Sequence, residues 1–213
     1  MAAPSRLSIF QGACVALKER KVVSLTENVP VRKELDGVWD RNGVRTCLQM
    51  ALWNFATRGV MLDYSPSITP PFGYTRAFAK PTDFVRLSNI CSDEFYRCPL
   101  NDYDNEAGYW FADIDTIYVR YVSDDTDYGF DYAKWPENFT RYVEHYFAFM
   151  VAGRLTGGAR NKDEVEKDMN YWLAKAKGTD AAEEPTKFLP TGSWVQARGG
   201  RRGYRNQYGR PVN

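Results

Sequence analysis

Apolar residues recur along this chain with two different periods, and the change between them divides it. Phe139, Tyr142, Val143, Tyr146, Phe147, Met150, Val151 and Leu155 fall at offsets 0, 3, 4, 7, 8, 11, 12 and 16, one stripe on an α-helix. Arg141, Glu144, His145 and Arg154 fall off that stripe. Pro136 suits the first helical position, where its missing N–H is not needed. Glu137 favours the positive end of the helix dipole, and Gly157-Gly158 supplies a stop. So wide a stripe needs a partner surface, and this helix is the element on which the remainder is expected to pack. Its Arg141, Glu144 and Arg154 would each be costly in hydrocarbon, so it reads as a core helix and not as a membrane span.

The flanking segments carry the same helical period. Leu7, Phe10, Cys14 and Leu17 predict a short amphipathic helix, and Ser24 to Pro30 a connector. A longer helix is expected from Val31 to Thr57, with Leu35, Val38, Trp39, Leu48, Leu52 and Phe55 inward and Asn42-Gly43 as a point where it kinks or splits. Asn161 to Lys177 predicts a last helix, capped by Asn161, ended by Gly178 and buried along Val165, Met169, Trp172, Leu173 and Ala176.

Between Val60 and Asp131 the period falls to two. VMLDYSP, YTRAFAKP, FVRLSNIC, YWFAD and TIYVRYVS are short aromatic and β-branched runs separated by Pro, Gly, Asn and Asp, as in a meander or small sandwich. In the last run Ile117, Val119 and Tyr121 share one face, and Tyr118, Arg120 and Val122 the other. The expectation is an α+β fold: a helical bundle from both chain ends packed with a small antiparallel β-sheet or sandwich insert, plus an extended C-terminal tail. The parts are residues 1–59 (helical), 60–132 (β insert), 133–178 (helical, completing the bundle) and 179–213 (tail).

Charge changes this picture locally. The net charge is only +1, yet nine acidic residues stand against one Arg between Asp102 and Asp131, while Gly192 to Asn213 holds five Arg and no acid. Asp124, Asp125 and Asp127 read as a solvated loop or as a negative surface that faces DNA and keeps a duplex unbound. The tail residues Trp194, Arg198, Arg201, Arg202, Tyr204, Arg205, Tyr208 and Arg210 suit either of two partners. They bind nucleic acid by phosphate contact and stacking, or they dock in a protein groove with aromatic anchors and Arg at the rim. Ordering so polar a segment costs on the order of 1 to 2 kcal/mol per residue, which contacts within it cannot offset.

The candidates for chemistry are few. Asp113 and Asp115 resemble a metal or acid–base pair, but no His or Glu at usable spacing accompanies them. His145 is the only histidine, so a local Ser-His-Asp or His-metal constellation is not expected. Gly157-Gly158 lacks the Lys and spacing of a phosphate loop. Cys14, Cys47, Cys91 and Cys98 show neither paired C-x-x-C spacing nor secretory context, and they read as reduced thiols, with a Cys91–Cys98 hairpin disulfide as the lesser alternative. The expectation is a protein that is not an enzyme and uses no cofactor or metal.

Several strings resemble a known family. ALWNFATR closing the first helical third, AKPTDFVRL opening a mid-chain strand, and TIYVRYVS followed by WPENFTRYVEHYFAFMVAGRLTG are similar to the tail tubular protein A group of bacteriophage head-to-tail adaptors. The resemblance spans residues 5–177 and rests on packing signatures; it does not reach the tail. It implies a structural virion protein at the head–tail interface, assembled in the host cytoplasm. The implied assembly is a homo-oligomeric ring, expected to hold twelve copies, that binds the portal protein and tail or nozzle proteins. DNA would pass through its lumen without specific binding, and no membrane is involved. The competing reading is a nucleic-acid-binding protein acting through its Arg/Gly/Tyr-rich tail.

Overall fold

The computed structural model describes residues 4–70, 72–155 and 159–183, and their architecture is α+β. Three helices come first: α1 (Arg6–Ala16), α2 (Pro30–Asp40) and α3 (Gly43–Gln49). The side chain of Ser5 caps α1, accepting from the amide of Ser8, while Ser8 Oγ in turn accepts from the amide of Ser5. The helix expected from Val31 to Thr57 is split and short. Asn42 takes the left-handed region at φ 60°, which breaks the helical path, and α3 ends at Gln49. A 3-10 turn (Asn54–Ala56) leads straight into a strand, Leu52 is exposed, and Phe55 is part-buried.

Six strands follow: β1 (Thr57–Asp63), β2 (Arg76–Ala79), β3 (Phe84–Cys91), β4 (Asp104–Glu106), β5 (Tyr109–Ala112) and β6 (Thr116–Ser123). They make two antiparallel three-stranded sheets, ordered β1-β6-β3 and β2-β5-β4. Phe78, Trp110 and Ala112 of the second sheet share one core with Ile90, Ile117, Val119 and Tyr121 of the first, so the insert is a small sandwich. Strand β6 is central in its sheet. The alternation that puts Ile117, Val119 and Tyr121 on this core leaves Val122 on the other face, where it joins Val85 and the helices in the larger core.

That larger core surrounds α4 (Glu137–Leu155), with α5 (Ala159–Glu183) alongside it. Phe139, Tyr142, Val143, Phe147 and Val151 are buried as expected. Two positions depart from the periodic reading: Met150 is 42% exposed, and Glu144, off the stripe, is 8% exposed. Helix α1 crosses α4 on the Glu144 side, so burial there follows the neighbour and not the polarity of the side chain. The side chain of Leu155 and the stop Gly157-Gly158 lie outside what is described, and Asn161 does not cap the last helix, because α5 already begins at Ala159.

Gly178 does not end the last helix. It lies inside α5, whose final turn is held from outside: Asn54 N donates to Asp180 Oδ1 at 2.9 Å, Asn54 Nδ2 to Asp180 O at 2.8 Å, and Asn138 Nδ2 to Thr179 Oγ1 at 2.8 Å. Three hydrogen bonds at about 1 kcal/mol each outweigh the roughly 1 kcal/mol that a mid-helix glycine costs.

Candidate functional site

The most connected group of charged side chains lies where the helices meet the sandwich. Asp83, in the turn before β3, accepts from Arg58 Nη1 at 2.9 Å, from Ser123 Oγ at 2.5 Å and from Tyr121 Oη at 3.0 Å. Burial would raise the Asp83 carboxyl, but these donors prevail and hold it below the usual aspartate range. Burial and the same hydrogen bond push the Tyr121 hydroxyl up. Arg58 also lies 3.5 Å from Asp125 and over the Tyr128 ring at 5.3 Å. Arg45, on α3, pairs with Asp124 and donates to the Phe84 carbonyl at 2.6 Å. Burial pushes the Asp124 carboxyl up against the opposing pull of Arg45.

The segment after β6 is folded tightly onto the body. Gly129 is required there: a Cβ would stand 2.2 Å from Ser123 O and 2.8 Å from a methyl of Leu48. Trp135 Nε1 donates to the Gly129 carbonyl at 2.8 Å, which ties the start of α4 to the same loop. Of the three carboxylates read as a negative surface, Asp124 and Asp125 are thus matched by Arg45 and Arg58, and Asp127 is the exposed one.

Beside this junction a pocket of about 260 Å³ opens between Trp39, Asn42, Val44, Arg45, Phe130 and Tyr132. Three of its six lining residues are aromatic, with Trp39 and Tyr132 edge-to-face at 6.2 Å, and Arg45 adds a charged group already paired with Asp124. Burial pushes the Tyr132 hydroxyl up, opposed by Arg6.

Other candidates take structural positions. Asp113 accepts from the Thr75 amide and hydroxyl at 2.8 and 3.0 Å, and Asp115 pairs with Arg76 at 2.8 Å. The two carboxylates clasp the start of β2 from the bend between β5 and β6. His145 Nδ1 lies 2.7 Å from the Arg141 carbonyl, and its ring packs 6.1 Å from Trp172 of α5. All four cysteines are free thiols; Cys14, Cys47 and Cys91 are buried and Cys98 is exposed. Among the described residues no His/Cys/Asp/Glu cluster has metal-binding geometry, and no helix is long and apolar enough to cross a membrane. Trp194, Arg198, Arg201, Arg202, Tyr204, Arg205, Tyr208 and Arg210 lie outside the described residues.

Sequence reading missed the hub. Asp83 carried no signal beyond its place before a strand, and its partners are 25 to 40 residues away. Comparison with protein-family models finds none that matches this chain, and comparison with curated proteins finds no match either.

Proposed function

We propose that this chain is a structural subunit of a bacteriophage head-to-tail adaptor, a ring of twelve copies seated under the portal that continues the DNA channel towards the tail proteins. The observation that carries the reading is where its most specific strings fall. TIYVRYVS forms β6, the central strand of its sheet, and WPENFTRYVEHYFAFMVAGRL forms the approach to α4 and α4 itself, around which the larger core is built. The strings therefore describe the frame of the fold, which is what a shared architecture would preserve. The best-connected charged cluster serves the same end, since Asp83, Arg58, Arg45 and Asp124 tie the sandwich to the helices.

In this reading the Arg/Tyr tail, anchored by Trp194, Tyr204 and Tyr208, docks on portal subunits or a neighbouring copy. Asp127 is the acidic-loop residue free to border the lumen. The test is negative-stain microscopy and gradient sedimentation of the purified protein alone and mixed with portal. Annular particles that co-sediment with portal, and that lose portal on deletion of Gly192 to Asn213, are expected. A second reading is favoured by tail composition: five Arg with interspersed Gly and Tyr suit nucleic acid. A gel shift with a steep salt slope, abolished by the same deletion, together with failure to join portal, would put that reading first.

A further inference from the structure

Strand β1 lies at one edge of its sheet and pairs with β6 without a break in register from Thr57 to Asp63. The opposite edge, β3, is interrupted by register shifts at Phe84/Arg86 and Leu87/Asn89 and is bridged from Cys91 to Pro99. The edges of the second sheet are short, with β2 four residues long and β4 three. Bulges, prolines, lysines and short strands keep an edge from pairing with another chain, and β1 contains none of them. Its free backbone groups follow from one hydrogen bond. Tyr64 N, just past the strand, donates to Asp115 O at 3.0 Å, towards β6. Backbone groups alternate sides along a strand, so Leu62, Val60 and Arg58 also face β6, while Thr57, Gly59, Met61 and Asp63 face outward. The Thr57 amide is taken by Asn54 O of the 3-10 turn, and beyond the strand Ser65 N donates to the Ala77 carbonyl at 2.7 Å. Between them Gly59, Met61 and Asp63 have no outward backbone partner among the described residues.

The side chains beside these groups complement a second β1. Met61 is 60% exposed, and Val60 and Leu62 are only partly buried at the rim of the sandwich core. Gly59 has no side chain, and the Tyr96 hydroxyl stands 2.7 Å from where its Cβ would be. Across from Gly59 on β6, the Arg120 guanidinium lies over the Tyr96 ring at 4.4 Å and has no carboxylate partner among the described residues. Asp63 forms no ion pair there either; its carboxylate accepts from Thr116 Oγ1 at 2.7 Å. Antiparallel pairing of two β1 strands about a two-fold axis at Met61 sets Met61 against Met61, Val60 against Leu62 and Gly59 against Asp63. The outward N–H and C=O groups are then all paired. Asp63 of each copy comes to the gap at Gly59 of the other, beside Arg120 and the Tyr96 hydroxyl. Moving the axis to Val60 sets Asp63 against Thr57, whose amide is already used, and loses the charge match.

We propose that β1 is a self-pairing edge through which two copies of this chain join their sheets into one continuous antiparallel sheet, with Asp63 of each copy paired to Arg120 of the other. The contact is isologous, so it differs from the head-to-tail contacts that close a ring. It stands independently of the adaptor reading.

Sedimentation equilibrium of the full chain should show a dimer with a Kd below about 100 µM, the range of a weak contact. Met61→Lys sets like charges against each other at the axis and should weaken that dimer about tenfold. Val23→Lys, at a 67% exposed site on the connector before α2, should leave it unchanged. Asp63→Arg and Arg120→Asp should each weaken the dimer, and the double variant should restore it. Within one copy Asp63 stands across from Thr116 and not from Arg120, so the rescue reports a contact between copies. Met61→Cys, made with Cys98→Ser because Cys98 is the exposed native thiol, should form a symmetric disulfide under mild oxidation. Directly opposed residues have the Cα spacing of about 5.5 Å that a disulfide needs. Val60→Cys in the same background should not be trapped. A wild-type chain that stays monomeric up to about 100 µM overturns the proposal, as does a dimer that Met61→Lys leaves intact or that only Val60→Cys traps. Annular particles from Met61→Lys at the wild-type yield, with the dimer lost, uphold the contact and leave the ring reading standing. A dimer without annular particles, with or without portal, upholds the contact and removes the ring.

Discussion

The Glu144 carboxyl carbon stands 2.1 Å from where a Cβ on Gly12 would lie, so α1 approaches α4 closely only because residue 12 has no side chain. Glu144 is buried beneath that crossing, with Arg141 3.4 Å away as its ion partner. Two effects oppose each other in Gly12→Ala. Helix propensity gains about 1 kcal/mol, while displacing a packed, part-paired carboxylate costs more, on the order of 2 to 4 kcal/mol. A net loss of about 1 to 3 kcal/mol is expected in urea melts. Gly12→Ala combined with Glu144→Ala should recover most of that loss, because the clash has gone. If the two substitutions add to within about 0.5 kcal/mol, the residues do not touch.

Glu144 and Asp83 should tilt stability with pH in opposite senses. Burial raises the Glu144 carboxyl, opposed by Arg141, so the folded state holds that proton more tightly than the unfolded chain. Its contribution is full below the ordinary glutamate range, near pH 4, and is lost as pH rises through the folded value. Asp83 is lowered by its donors, so its contribution is present above the ordinary aspartate range and is lost as pH falls through the folded value. Glu144→Gln should therefore flatten the rising-pH side of a stability profile. Asp83→Asn should flatten the acid side and cost about 2 kcal/mol at pH 7, since three donors lose a charged acceptor. A profile between pH 2 and 8 that keeps its acid limb in Asp83→Asn would show that the hub is not what titrates.

How far the sequence could be read follows from where each feature has its cause. The start of α4 was legible to within one residue because Pro136, which stands just before the helix and not in its first position, and Glu137 act locally, and the inner face of β6 was legible because alternation alone decides it. The burial of Glu144 and the exposure of Met150 were not, because they depend on which side of α4 receives α1. Strand β4, the polar run Asp104–Glu106, has no β signal of its own and exists because Tyr109–Ala112 offers it a partner. The candidate site divides the same way. The acidic loop was visible as composition, but Arg45 and Arg58, which match Asp124 and Asp125, are distant in sequence.

Phe147→Ala tests the larger core at its centre. Phe147 is fully buried, with the rings of Trp39 and Phe10 at 5.9 and 6.2 Å and its own edge against the backbone of Gly43. Truncation leaves a cavity between helices from both ends of the described body, and a loss of about 3 to 5 kcal/mol is expected. The cost is read by denaturant melts. A loss below about 1 kcal/mol would mean that this part of the core collapses to fill the gap.

Asp180 decides where the last helix ends. Its carboxylate accepts from the amide of Asn54 and its carbonyl from the Asn54 side chain, at the 3-10 turn just before β1. Gly178 weakens this turn by about 1 kcal/mol relative to alanine, while Ala181 and Ala182 favour helix. Asp180→Ala removes the contact to the Asn54 amide and leaves that donor without its partner. A loss of about 1 to 3 kcal/mol is expected, felt locally first, because the contacts removed are those of the final turn of α5. Amide exchange should therefore accelerate over Lys177 to Glu183 and at Asn54, while α4 keeps its protection. The conservative Asp180→Asn, which retains an acceptor oxygen, should restore most of it. If exchange rises uniformly along α5, the helix is held by its packing on α4 and not by this terminal clasp. If it rises nowhere, Gly178 is no weak point and intrinsic helix propensity carries the last turn unaided.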